Sequence, residues 1–110
     1  MDLVKAAGVL GALSVAAGAF GAHGLKKVPE MTDARVAAFQ TGAHYALAHA
    51  VAAAALASRS PRAAGLWLAG STVFAGSLWL YGWTGQRYWG AVAPIGGTML
   101  IAGWVVLALA

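Results

Sequence analysis

The sequence predicts an all-α fold, an integral membrane four-helix bundle with antiparallel up-down-up-down topology, and three observations carry the prediction. The ten Lys, Arg, Asp and Glu residues of this 110-residue chain stand at positions 2, 5, 26, 27, 30, 33, 35, 59, 62 and 87, which leaves four uncharged stretches of 20 to 24 residues. A helix rises about 1.5 Å per residue and a bilayer core is about 30 Å thick, so each stretch is long enough to cross it. The chain is 61% hydrophobic and 9% charged with mean hydropathy +0.74, whereas a soluble domain is about 25% charged. The connections are short, which makes consecutive spans antiparallel neighbours and puts both termini on one side of the membrane.

The spans are expected at about residues 6–25, 36–58, 63–83 and 88–110, in one membrane domain covering 1–110. Lys5 ahead of an apolar run, with Ala17-Gly18-Ala19 after it, has the form of a signal peptide. Three further spans follow, so the stretch reads as a retained helix. Pro29 is expected to end it, and Thr32 or Asp33 to cap the second span. The turn Ser58-Arg59-Ser60-Pro61-Arg62 leads into the third span, and Thr84-Gly85-Gln86-Arg87, with a glycine suited to a tight turn, leads into the fourth.

Lipid tails are as apolar as leucine, so membrane helices associate through close packing of small residues. At about 100° per residue, Gly11, Ser14, Gly18, Gly21 and Ala22 share an arc of about 100° on the first span, and Gly65, Ala69, Thr72 and Gly76 share about 60° on the third. Gly96 and Gly103 are seven apart and nearly aligned on the fourth, with Gly97 beside them. The second span is alanine-rich and can pack on several sides. Pro94 removes one helical hydrogen bond and is expected to kink the last helix.

The tryptophans agree with an antiparallel hairpin, because indoles favour the headgroup level. Trp83 and Trp89 flank the last connection, while Trp67 and Trp104 lie a few residues inside the opposite ends. Orientation does not follow from charge: Lys5, Arg59 and Arg62 on one side stand against Lys26, Lys27, Arg35 and Arg87 on the other. The seven basic residues form no stripe along one element, so nucleic acid is not an expected partner. Membrane lipid is, and beyond it another membrane protein or a second copy of the chain as a homo-oligomer.

There is no cysteine, which excludes disulfides, thiolate metal sites and cysteine nucleophiles. Intramembrane polar residues are costly and often functional. The candidates for a polar pocket are therefore His23, Gln40, Thr41, His44, Tyr45 and His49. Gln40 and His44 share a face at i,i+4, and Tyr45 and His49 share the next. Haem between two histidines needs ligands at similar depth on different helices, yet His23 and His44 differ by about 10 Å at helical rise. Zinc or copper would want three or four convergent ligands, and no carboxylate lies within the spans. No cofactor and no metal are expected. Ser77 and His49 lack a group to orient the base, and no nucleophile elbow, phosphate loop or HExxH occurs, so no catalytic residue is assigned and enzymatic activity is not expected.

One set of motifs runs through the chain in order. It comprises Gly18-Ala19-Phe20-Gly21-Ala22-His23-Gly24-Leu25, Phe39-Gln40-Thr41-Gly42 with His49 downstream, Gly76-Ser77-Leu78, Thr84-Gly85, and Pro94-Ile95-Gly96-Gly97 ahead of Gly103-Trp104. In these the chain resembles the domain of unknown function 423 family, which includes small bacterial inner-membrane proteins and the eukaryotic transmembrane protein 256. The resemblance runs from about Ala7 to Trp104. It implies a four-span protein of the bacterial inner (cytoplasmic) membrane, without an established activity, substrate or cofactor. His23 and His49 match positions that are usually histidine in such sequences, and Pro94, Gly96 and Gly97 match the last span. His44 departs from the pattern. The expected role is that of a small accessory or scaffold protein binding a membrane complex or lipid. The alternative is a minimal channel or transporter for protons or a small solute, lined by His23, Gln40, His44 and His49.

Overall fold

The computed structural model describes residues 1–110 as four helices, α1 (Leu3–Ala22), α2 (Asp33–Leu56), α3 (Pro61–Thr84) and α4 (Arg87–Leu109), with one 3-10 turn at Leu25–Lys27. The molecule measures 46 × 24 × 20 Å, little longer than one helix of this size with its turns. Helices α1, α3 and α4 are each long and apolar enough to cross a membrane. Helix α2 matches them at 24 residues but is less apolar, because its middle carries Gln40, Thr41, His44, Tyr45 and His49. Helices α1 and α3 both pack against it, and Gln40 is covered in part and His49 almost fully, while Thr41, His44 and Tyr45 stay exposed.

The helix ends follow local chemistry. Asp2 accepts the Lys5 amide at 2.8 Å, and Thr32, one of the two expected caps, accepts the Arg35 amide at 3.2 Å, each satisfying a first-turn N–H. Pro61 occupies the first turn of α3, where its missing N–H costs nothing. Gly85 ends α3 in the left-handed region at φ 75°, as the glycine of that turn requires. The end of α1 differs from expectation. The helix stops at Ala22 rather than running to Leu25, seven residues ahead of Pro29. His23 gives its N–H to Phe20 and the chain tightens into the 3-10 turn. That hook tucks Leu25 into the protein with none of its surface exposed. The boundary thus falls at the turn that buries Leu25, well ahead of Pro29.

The helices pack in chain order, α1 on α2, α2 on α3 and α3 on α4, with α1 also touching α3. A closed bundle would add an α1–α4 seam, and here α1 and α4 make at most marginal contact. The closest approach is between α3 and α4. A β-carbon on Gly96 would stand 2.4 Å from the Phe74 amide nitrogen and 2.6 Å from the Gly70 carbonyl oxygen. One on Gly103 would meet the Trp67 indole at 2.5 Å. Between α1 and α2, Gly11 faces Ala50, Gly18 faces Ala43, and Gly21 lies under the Gln40 amide and the Phe39 ring. These positions serve close packing as their spacing predicts.

Gly65 and Gly76 do not. Neither has any atom within 4 Å of where a β-carbon would be, and Ala69 and Thr72 between them are exposed. The stripe exists but points away from the bundle. Helix α3 must serve α2 and α4 at once, and it does so with Ala64, Trp67, Gly70, Ser71, Ala75 and Gly82, all buried. Size alone did not separate the inward small residues from the outward ones. Trp67 is fully buried in the core with Ala7, Ala53, Ala63, Ala64 and Leu100, so its ring faces neighbouring helices rather than lipid. Helix α4 runs through Pro94 as one continuous helix.

Arg35 ties the two loops on one side together. Its Nε donates to the Gly82 carbonyl at 3.1 Å and its Nη2 to the Trp83 carbonyl at 2.8 Å. These are last-turn carbonyls of α3, which lack helical partners and carry the negative end of the helix dipole. The guanidinium fork matches two carbonyls at once, as an ammonium cannot. Arg35→Met is expected to lower stability by about 2 kcal/mol, the scale of hydrogen bonds from a charged donor. Arg35→Lys should restore less than half of it. Thermal unfolding of the detergent-solubilised protein measures both.

Candidate functional site

Because α4 leans on α3 and hardly on α2, a groove runs between α2 and α4 with α3 beneath it. Its volume is about 510 Å³, and its lining includes Thr41, Tyr45 and His49 from α2, Phe74 from α3, and Gly97 and Trp104 from α4. This is the size of an ordinary ligand pocket. It opens sideways: Tyr45, Ile101 and Trp104 on its rim are 51, 66 and 45% exposed. The α2 positions 41–49 and the α4 positions 94–104 both straddle the middle of their helices. The groove therefore lies at mid-depth and faces the lipid.

His49 closes one end. It is 7% exposed, packed among the rings of Tyr45, Trp67 and Trp104 at centroid distances of 6.2, 6.3 and 5.8 Å. An indole nitrogen can only donate, so the Trp104 Nε1–H donates to His49 Nε2 at 2.9 Å. That hydrogen bond assigns the ring proton to Nδ1, which donates to the Tyr45 carbonyl at 2.6 Å. Both ring nitrogens are thus spent inside the protein. So arranged, His49 has no lone pair for a metal and no free position to take up a proton.

Of the six sequence candidates, the fold brings Thr41, Tyr45 and His49 together. Gln40 lies instead between α1 and α2, where its Nε2 donates to the Gly18 carbonyl at 3.0 Å and its Oε1 is buried without a partner. His44 is exposed on the outer side of α2 and lines no part of the groove. His23 is exposed at the end of α1. His49 stands sixteen residues down α2 from Asp33, about 24 Å at helical rise, so His23 and His49 lie toward opposite sides of the membrane. No three His, Cys, Asp or Glu side chains converge.

Trp104, Phe74, Thr98 and Ile101 complete the groove and were not among the sequence candidates. A signal for Trp104 was present. His49 is seven residues from the end of α2, Trp67 six from the start of α3 and Trp104 five from the end of α4, so antiparallel topology puts all three at nearly one depth. The hydroxyls offer little: Thr41 Oγ1 donates to the Ala37 carbonyl and Thr98 Oγ1 to the Pro94 carbonyl, both within their own helices.

Comparison with known proteins gives the chain a setting. A family described as "Protein of unknown function (DUF423)" matches residues 17–97. The UPF0382 inner membrane protein YgdD of Escherichia coli (strain K12) is 34% identical over 109 residues, 92% of this chain and 82% of that protein. The UPF0382 membrane protein YwdK of Bacillus subtilis (strain 168) is 34% identical over 108 residues, 89% of this chain and 85% of its own length. A UPF0382 membrane protein of Haemophilus influenzae is 33% identical over 105 residues, 89% of this chain and 83% of its own. No solved structure matches the chain.

Proposed function

Since the chain belongs to the DUF423 family, we propose that it is a non-enzymatic accessory or scaffold protein of the bacterial inner membrane, acting by binding lipid or a membrane complex. The observation that carries this reading is the state of His49. The one buried histidine gives both ring nitrogens to hydrogen bonds within the protein, and the groove beside it holds no carboxylate or cation. Such a site can bind, and its remaining polar groups, the hydroxyls of Thr41, Tyr45 and Thr98, have no free base beside them to activate them. The outward face of Gly65, Ala69, Thr72 and Gly76 supports the same reading, because small residues facing lipid allow a helix of another protein to approach closely.

A channel would need His23, Gln40, His44 and His49 along one route, yet Gln40 is tied to Gly18 of α1, His44 and His23 are exposed, and of the four only His49 lines the groove. The test combines two measurements. Chemical crosslinking in native membranes, with photo-reactive residues placed at Ala69 and Ile101, is expected to give discrete adducts. Reconstituted vesicles are expected to pass protons no faster than empty ones. A protein that stays an uncrosslinked monomer without co-purifying lipid ends the binding reading, and flux lost on His49→Ala moves the function to transport.

A further inference from the structure

We propose that the α2–α4 groove holds the hydrocarbon tail of a bilayer lipid, which rests on the binding reading above and names the occupant. Depth and charge come first. The groove is centred on the middle of α2 and α4, and none of its ten lining residues is charged. A charged ligand there would be desolvated with no counter-charge. A hydrocarbon chain is what the surroundings supply.

Size suits a tail. The lining residues extend over about 13 Å of helix axis, and the volume of about 510 Å³ is that of a small-molecule pocket. Ten lining residues fall well short of the roughly 20–30 per side in a stable protein interface, so the groove by itself is no seat for a second copy of this chain.

Gly97 adds a third argument. Gly96 must be glycine, because α3 backbone lies against it. Gly97 is not under that constraint: a β-carbon there would stand 3.6 Å from the Phe74 ring, an ordinary contact. The helix could carry a side chain at this position, and its absence hollows the groove over Phe74. The Thr41 and Thr98 hydroxyl protons are spent on their own helices, which leaves the Tyr45 hydroxyl on the exposed rim as the free donor of the lining.

The test uses the full chain reconstituted in phosphatidylcholine and phosphatidylglycerol vesicles with a trace of phosphatidylcholine bearing a mid-chain diazirine. After irradiation, label is located by mass spectrometry. Tyr45, Phe74, Thr98 and Ile101 are expected to exceed Leu13 and Val15, equally lipid-exposed positions near the middle of α1, by about fivefold, the ratio for a site favoured by about 1 kcal/mol over bulk lipid. Gly97→Leu should bring the groove down to the α1 level, with α1 labelling unchanged. Ile101→Trp, which fills the groove from its exposed rim, should do the same and stands in if the first variant fails to fold. Equal labelling of groove and α1, or labelling that survives both fillings, overturns the proposal. Equal lipid labelling together with a discrete protein adduct at Ile101 would remove the tail and keep the binding reading; loss of both signals removes both.

Discussion

Gly96→Leu is expected to abolish the folded state that Gly65→Leu leaves intact. At Gly96 the first added atom would lie 2.4 Å from a backbone nitrogen of Phe74 and 2.6 Å from the Gly70 carbonyl oxygen. Backbone cannot swing aside as a side chain can. Overpacking usually costs about 1–3 kcal/mol and sometimes more, and two helix backbones in contact put this site at or beyond the upper end. Since α4 is held almost entirely by α3, forcing the two apart frees the last helix and opens the groove wall. At Gly65 nothing lies within 4 Å, so leucine there projects into lipid and should change stability by no more than about 0.5 kcal/mol. Melting temperature and monodisperse yield in detergent measure the contrast. Equal melting of Gly96→Leu and the parent would show that α3 and α4 do not cross at Gly70 and Gly96.

The same two glycines show how far sequence reaches. Where charges sit decides where helices run, because lipid excludes charge, and every helix lies within a few residues of its uncharged stretch. The alignment of Gly96 with Gly103 was legible for a related reason: a single neighbour selects a single face. Helix α3 has two neighbours, and an arc of small residues cannot say whether it faces one of them or the lipid. Gly70 and Gly82, which do meet partners, sit outside the chosen arc. The hook that ends α1 was illegible because it depends on a cavity for Leu25 that only the assembled helices create.

The candidate site was half legible for a comparable reason. The polar composition of α2 is visible along the chain, and Thr41, Tyr45 and His49 do share a groove. Which flank of α2 is covered by α1 and which by α3 is a matter of tertiary packing, and it sent Gln40 inward to Gly18 and left His44 facing out. Trp104 escaped notice because a tryptophan near a helix end reads first as a headgroup anchor. Depth arithmetic places it level with His49, and only α3 beneath both brings the two rings together.

His49→Ala is expected to cost about 3 kcal/mol, most of it through packing. Removing a buried ring from among Tyr45, Trp67 and Trp104 leaves a cavity, and large-to-small changes in cores cost about 2–5 kcal/mol. The lost hydrogen bond adds less, since pairs inside membranes average about 0.6 kcal/mol and reach about 1.7. A cycle with Trp104→Phe separates the two contributions. Trp104→Phe alone should cost about 1 kcal/mol, and the double variant should be less damaged than the sum of the singles by roughly the hydrogen-bond value. Melting curves of the four proteins give the coupling directly. The result also bears on function. A histidine kept to carry protons would be lost with little change in melting and a large change in flux, whereas one kept to hold Trp104 at the mouth of a groove would show the reverse. Coupling near zero with native-like melting would mean that the Nε1–Nε2 contact holds nothing, and the argument from spent nitrogens to a binding role would go with it.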